Sequence, residues 1–442
     1  METIVAIATP AGRGGVGIVR VSGDLVTDIT QQIIHTLPKP RYALFCHFYG
    51  EDQQILDEGI ALYFPDSASF TGEPVLELQG HGGSVVMDIL LQRVLSLGAR
   101  LARAGEFSER AFLNGKIDLV QAEAIADLID CVSTDAVRCA MRSLQGQFSD
   151  KIHQLVEKLT HLRCYIEAGI DFPDEEIDLL ADGQVNRQLD DIQQQIIRVL
   201  SQAQQGHLLK EGIHIVIIGQ PNVGKSSLLN CLAGRETAIV TEIAGTTRDI
   251  IRDSIQLQGI PLHITDTAGL RETDDVVEKE GIRRTKEVLQ HADIVIFLQD
   301  DCQDNNAPDK QILQEIPVNV KRLILRNKID LSGNDAGFIN DNTLRISAKH
   351  NQGITQLTDW LIKAVNYHHS ETGLFMARRR HLDALHRAKT HISDAVYQAE
   401  VQQGELIAED LRQAQQVLGE ITGEVSADDL LGQIFSSFCI GK

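Results

Sequence analysis

The run Ile213-His214-Ile215-Val216-Ile217-Ile218 leads straight into Gly219-Gln220-Pro221-Asn222-Val223-Gly224-Lys225-Ser226, and then into Ser227-Leu228-Leu229-Asn230. Near-continuous apolar character marks a strand covered on both faces, which belongs to a parallel sheet. A G-x-x-x-x-G-K-S loop between such a strand and a helix leaves backbone N–H groups pointing inward at the helix N-terminus, a cradle for phosphate. In that cradle Lys225 pairs with the β- and γ-phosphates and the Ser226 hydroxyl is placed for Mg²⁺. This one stretch commits a large part of the chain to an α/β fold.

The loop alone does not separate adenine from guanine; later segments do. Asn327-Lys328-Ile329-Asp330 follows the apolar run Arg322-Leu323-Ile324-Leu325. An aspartate there accepts two hydrogen bonds from guanine, whereas adenine would leave the same buried acceptors unpaired. Ser347-Ala348-Lys349 fits the supporting loop beyond the base. Asp266-Thr267-Ala268-Gly269 fits a D-x-x-G switch, with Asp266 orienting Mg²⁺ through water. Thr241, Glu242, Ile243, Ala244, Gly245, Thr246 and Thr247 fit the first switch, with Thr247 as the second Mg²⁺ hydroxyl. Four elements in this order predict a Mg²⁺-dependent GTP-hydrolysing domain.

The residue after D-T-A-G is Leu270, where a glutamine would position the attacking water. An apolar side chain cannot do that, so the segment 271–280 offers the alternatives. Glu278 is the favoured carboxylate, set against the plainer reading of a solvated acidic loop. Asn222 could place an oxygen on a monovalent cation near the phosphates; turn chemistry after Pro221 explains an asparagine equally well.

Around this domain the texture changes twice. Residues 1–116 alternate short apolar runs and glycines about one helical stretch, as in a small α+β domain. Residues 117–211 and 367–442 carry helical spacing, so the predicted α/β domain, 212–366, interrupts a discontinuous helical domain. Gly12-Arg13-Gly14-Gly15-Val16-Gly17 contains G-x-G-x-x-G, but the following Ile18-Val19-Arg20-Val21 alternates as a strand, which rejects a dinucleotide site. Charge bounds the partners: 41 basic against 62 acidic side chains give −21 over 442 residues, so contact with nucleic acid has to be local or supplied by a partner. The seven cysteines contain no C-x-x-C pair, which predicts reduced thiols rather than a zinc knuckle. Neither a leader nor a membrane-length apolar run is evident, and a cytoplasmic protein is expected.

The stretches ATPAGRGGVGIVRVSG, FTGE, ELQGHGG, GEFSERAFLNGK, GTTRD, DTAGLRE and the final CIGK, in this order along the whole chain, closely resemble the tRNA uridine-modification GTPases of the MnmE/TrmE family. That resemblance implies an N-terminal domain that mediates homodimerisation and binds 5-formyl- or 5,10-methylene-tetrahydrofolate through Arg20, Glu77, Lys116 and Lys442. It implies K⁺ held by Asn222, Thr241, Ile243 and Thr246 when two G domains meet, and a water-orienting Glu278. It also implies an FAD-dependent partner of the MnmG (GidA) family, joined in a heterotetramer or larger assembly, and modification of the wobble uridine of certain tRNAs at C5. Cys439 is a candidate nucleophile near the folate, with a positioning group or a buried thiol as the alternatives. A rival reading is an RNA-binding assembly switch; the absence of a GXXG loop after the α/β domain speaks against it.

Overall fold

The computed structural model describes residues 2–171, 183–234, 254–266, 289, 292–303, 320–367, 373–424, 428–436, 438 and 441. The chain forms two compact units, Met1–Ile129 with Ser143–Ile197 and Asp383–Lys442, and Asp130–Arg142 with Arg198–Leu382.

The first unit begins with β1 (Ile4–Ile7), β2 (Gly17–Ser22), α1 (Val26–Ile34), β3 (Leu44–Tyr49), β4 (Ile55–Phe64), β5 (Val75–Gly80), α2 (Ser84–Ser96), β6 (Arg100–Leu101) and α3 (Glu106–Leu113). The six strands form one sheet in the order β3-β4-β5-β2-β1-β6, antiparallel except for the β1–β6 pair. Alternation along β2 sends Val19 and Val21 to a core shared with Ile29 and Ile33 of α1 and Leu90 and Val94 of α2. Arg20, between those valines, therefore faces the opposite side, in register with Glu77.

Helices α4 (Leu119–Asp130), α5 (Thr134–Leu144), α6 (Gln147–Asp171) and α7 (Gln184–Glu211) follow. On α6 the buried residues Ile152, Leu155, Leu159, Leu162 and Ile166 recur at alternating steps of three and four. Ile407, Leu411, Ala414, Leu418 and Ile421 make the same stripe on a later helix, Gly404–Thr422, which packs against α6. Two matched stripes, one before and one after the inserted domain, hold the discontinuous helical domain together.

The second unit holds β7 (Ile213–Gly219), α8 (Lys225–Ala233), β8 (Ser254–Leu257), β9 (Ile260–Asp266), β10 (Ile294–Asp300), β11 (Lys321–Asn327), α9 (Ile329–Ser332), β12 (Gly337–Asn340), β13 (Thr343–Arg345) and α10 (Ile354–Ala364). Its sheet runs β12-β13-β11-β10-β7-β9-β8, with the five inner strands parallel. Burial along β10 is continuous, as expected of a strand covered on both faces. The β8–β9 hairpin turns on Gln258 and Gly259, both at positive φ, a two-residue turn whose twist matches its strands. After α10 come α11 (Arg379–Glu400), α12 (Gly404–Thr422) and α13 (Asp428–Ser436).

Two glycines mark close approaches. In α7 a Cβ on Gly206 would lie 1.8 Å from the Phe375 carbonyl oxygen, so the chain entering the α/β domain touches the chain leaving it. Gly105, at φ +67, would place a Cβ 2.5 Å from the Phe435 carbonyl oxygen; α13 can seat there only because no side chain intervenes. Phe435 and Phe438 pack with Leu119 and Ala122 of α4. Among the described residues no helix is long and apolar enough to cross a membrane.

Candidate functional site

The phosphate loop leaves β7 at Gly219 and enters α8 at Lys225. Asn222 and Gly224 sit at φ +63 and +101, and these reversals of hand curl the intervening N–H groups into an anion-binding concavity. Gly224 has a second reason to lack a side chain: a Cβ there would lie 2.3 Å from Asn327 Nδ2. Lys225 is buried, and its ammonium donates to the carbonyl oxygens of Gly219 at 2.9 Å and Gln220 at 3.2 Å. Those carbonyls hold its charge inside the loop, where a phosphate would be met. Ser226 and Ser227 are exposed in the first turn of α8.

Asn327 joins this loop to the base-reading segments. Its Nδ2 donates to the Val223 carbonyl at 2.9 Å, and its Oδ1 accepts from the Ala348 amide at 3.0 Å. Lys328, at φ +71, turns the chain into α9 and donates to Asp300 Oδ2 at 2.7 Å, which fixes its stem. The Ser347 hydroxyl donates to Asp330 Oδ1 at 2.7 Å, and this bond holds the Asp330 carboxyl below the usual carboxylate range. A carboxylate kept ionised and oriented in this way is the acceptor that guanine requires. Ala348 is buried, while Lys349 is exposed on the same loop.

Behind these loops lies Asp301, fully buried, which accepts from Ser332, Asn334 and Arg345 and pairs with Arg326 at 2.9 Å. It ties β10, β11 and β13 to the turn carrying Asp330. Nothing in its sequence setting, Gln299-Asp300-Asp301-Cys302, distinguishes it from a surface acidic pair. Asp266 is the last residue of β9, with its backbone beside Ile217 of β7. The first-switch residues 241–247, Thr267, Ala268, Gly269, Leu270 and Glu278 lie outside the described residues, as do Cys439 and Lys442. The structure therefore brings together Asn222, Val223, Gly224, Lys225, Asn327, Lys328, Ile329, Asp330, Ser347 and Ala348.

A second site lies in the first unit. Arg20 Nε donates to Glu77 Oε1 at 2.9 Å, and Arg20 Nη1 donates to the Gly441 carbonyl at 3.1 Å. Both side chains line a cavity of about 510 Å³ whose remaining wall includes Phe64, Phe70, Ile125 and Ile129. One polar end and flat apolar walls suit a heteroaromatic ring with a charged or hydrogen-bonding edge. Lys116 does not line this cavity, but its stem runs beside Gly72, next to the cavity residue Thr71. Phe70 opens the FTGE stretch, whereas Ile125 carries no signal in the sequence beyond that of an ordinary helical apolar residue.

A parallel sheet with a G-x-x-x-x-G-K-S loop at one strand end, and an N-K-x-D turn tied to it through Asn327, defines a P-loop GTPase. A family model described as MnmE helical domain matches residues 119–439, and one described as GTP-binding protein TrmE N-terminus matches residues 3–116. The tRNA modification GTPase MnmE of Hydrogenovibrio crunogenus is 54% identical over 449 residues, covering 100% of this chain and 99% of its own. That of Yersinia pseudotuberculosis is 55% identical over 450 residues, with the same coverage. Among solved structures, Aquifex aeolicus Era is 25% identical over 40% of this chain and 66% of its own, with a TM-score of 0.27. The chain belongs to the MnmE family, and it is a GTP hydrolase.

Proposed function

We propose that this chain is a K⁺-activated, Mg²⁺-dependent GTPase that drives modification of the wobble uridine of certain tRNAs at C5, together with an FAD-dependent MnmG-family partner and a tetrahydrofolate one-carbon donor. The observation that carries the GTPase half is the pair of hydrogen bonds by which Asn327 donates to the Val223 carbonyl and accepts from the Ala348 amide, tying phosphate cradle to base reader. Bound Mg²⁺ supplies charge neutralisation at the phosphates; Ser226 and Thr247 are its protein hydroxyls in this reading. Lys225 holds the β- and γ-phosphates, Asp330 selects guanine, and Glu278 orients the water that Leu270 cannot.

K⁺ would stand in for an arginine finger, with Asn222, Thr241, Ile243 and Thr246 as its ligands, when two G domains meet across a dimer. Asn222 is compatible with this role: it is exposed, at a left-handed position of the phosphate loop. The folate half is supported by the Arg20–Glu77 pair at one end of an apolar cavity, with the carbonyl of Gly441 on Arg20 bringing the C-terminal residues beside it. Lys116 and Lys442 are then the cations for the folate carboxylates. Cytoplasmic residence and homodimerisation complete the reading, in domains spanning 1–116, 117–211, 212–366 and 367–442.

Nucleoside analysis of tRNA from a strain lacking this protein tests it: loss of the C5 substituent on the wobble uridine is expected, restored by the wild-type chain and not by Lys225→Ala. An unchanged nucleoside profile would refute the tRNA assignment while leaving the GTPase intact.

A further inference from the structure

Resting on the folate reading of the Arg20–Glu77 cavity, we propose that Ser108 is a ligand-contacting residue there, its hydroxyl bonding the polar edge of the bound ring. Ser108 is the third residue of α3, has no exposed surface and forms part of the cavity wall. Among the described residues its Oγ has no hydrogen-bond partner. A buried hydroxyl in a helix ordinarily bonds the carbonyl four residues back. Thr30 and Thr160 do so, to Val26 and Val156 at 2.6 and 2.7 Å. Ser108 has no such outlet, because the residue four back, Ala104, precedes the helix and its left-handed cap Gly105.

An unpaired buried hydroxyl destabilises the protein that carries it, so its place in a cavity wall calls for a partner that arrives with the ligand. The rest of the lining leaves that task open. Thr71, also in the wall, already bonds the Ser22 hydroxyl at 2.8 Å, and both Glu77 oxygens have donors in Arg20 and Gln79. The other wall residues, Phe64, Phe70, Ile125 and Ile129, offer faces and no polar atoms. Ser108 thus adds a hydrogen-bonding point on α3, distinct from the pair on β2 and β5. Three such points around flat apolar walls fix the in-plane orientation of a ring, where two leave it a pivot.

Ser149 supplies the control. Its hydroxyl is likewise buried and without a hydrogen-bond partner among the described residues, on α6, and it does not line this cavity. The experiment titrates 5-formyl-tetrahydrofolate into the full-length wild-type chain and the Ser108→Ala, Ser149→Ala and Arg20→Ala variants by calorimetry, with thermal unfolding of each variant alone. Ser108→Ala should weaken binding about five- to tenfold, the worth of one neutral hydrogen bond, while unfolding no earlier than the wild type without ligand. Ser149→Ala should bind as the wild type does. Equal affinity of Ser108→Ala and wild type would overturn the role of Ser108 with the folate reading intact. No binding by the wild type, or binding indifferent to Arg20→Ala, would overturn the folate reading itself.

Discussion

Replacing Asn327 with alanine removes a side chain that bonds both the phosphate loop and the loop supporting the base. Two hydrogen bonds are lost, at 2.9 and 3.0 Å, and the groups left behind, the Val223 carbonyl and the Ala348 amide, belong to residues that are 6% and 5% exposed. Each orphaned buried group costs about 1–3 kcal/mol, so the pair of loops should lose roughly 2–6 kcal/mol of mutual support. The chain has more than one cooperative unit, so a global unfolding midpoint would dilute the effect. Amide hydrogen exchange resolves it instead: with about 1–3 kcal/mol lost at Ala348, its amide should exchange ~5- to 150-fold faster. GTP affinity should fall in parallel, because the cradle and the base reader no longer hold a fixed separation. Unchanged exchange at Ala348 in a folded Asn327→Ala protein would refute the bridge as the element that couples the two loops.

Asp330→Asn should shift nucleotide preference from guanosine toward xanthosine, read by competition binding; retained GTP preference would mean the base is read elsewhere. Exchanging Na⁺ for K⁺ should accelerate GTP hydrolysis severalfold or more, and equal rates in the two salts would remove the cation from the mechanism. Glu278→Ala should lower the hydrolysis rate with GTP affinity nearly unchanged, since a water-orienting group acts after binding. Glu106 titrates in the first unit. Burial alone would raise its carboxyl, but hydrogen bonds from Arg100, the Arg103 amide and Arg110 outweigh that and bring it down to about 2 from 4.5. Its stabilising contribution is therefore complete above pH 4.5 and lost as pH falls toward 2, so Glu106→Gln should destabilise this unit at neutral pH and flatten its acid unfolding limb.

The phosphate loop was legible because its chemistry is backbone chemistry: Gly219 and Gly224 are there for space and handedness, and both reasons leave a mark in the sequence. The rejection of a dinucleotide site at residues 12–17 holds for the same kind of reason, since residues 17–22 form a strand and not a helix. The strand Leu44–Tyr49 did not stand out, because aromatic and polar residues alternate there without the β-branched residues that mark neighbouring strands. The helical stretch from Leu119 is two helices, since Val132 and Ser133 interrupt it without a proline or glycine to announce the break. The polar end of the cavity was visible as Arg20 and Glu77, charged residues inside alternating strands. Its apolar walls were visible only at Phe70, in the FTGE stretch, because Phe64, Ile125 and Ile129 look like core until the fold leaves space between them. Asp301 was invisible for another reason, and Ser108 stood out only as part of the run GEFSERAFLNGK: what distinguishes both is burial, which no local pattern encodes.

The insertion of one domain into another raises the question of what a nucleotide-dependent change could act upon. Two loose linkers would let the α/β domain rearrange without consequence for the helices that carry it. The root of the insertion is instead fastened within its own unit. Gln205 of α7 donates to the Asn366 carbonyl at 2.7 Å, and Gly206, with no room for a Cβ, lies against the Phe375 carbonyl. Entry and exit therefore cannot part without breaking a buried contact. Only Gly212 separates α7 from β7, and it is held at φ +73 with Pro261 of β9 close enough to exclude a side chain. The strand that ends in the phosphate loop is thus a near-direct continuation of a helix of 28 residues. A displacement of β7 relative to β9, the strand that ends at Asp266, must strain that junction or move α7 with it. The glycines at 206 and 212 are thus what lets the end of α7, the start of β9 and the returning chain at Phe375 pack this closely at the root of the insertion.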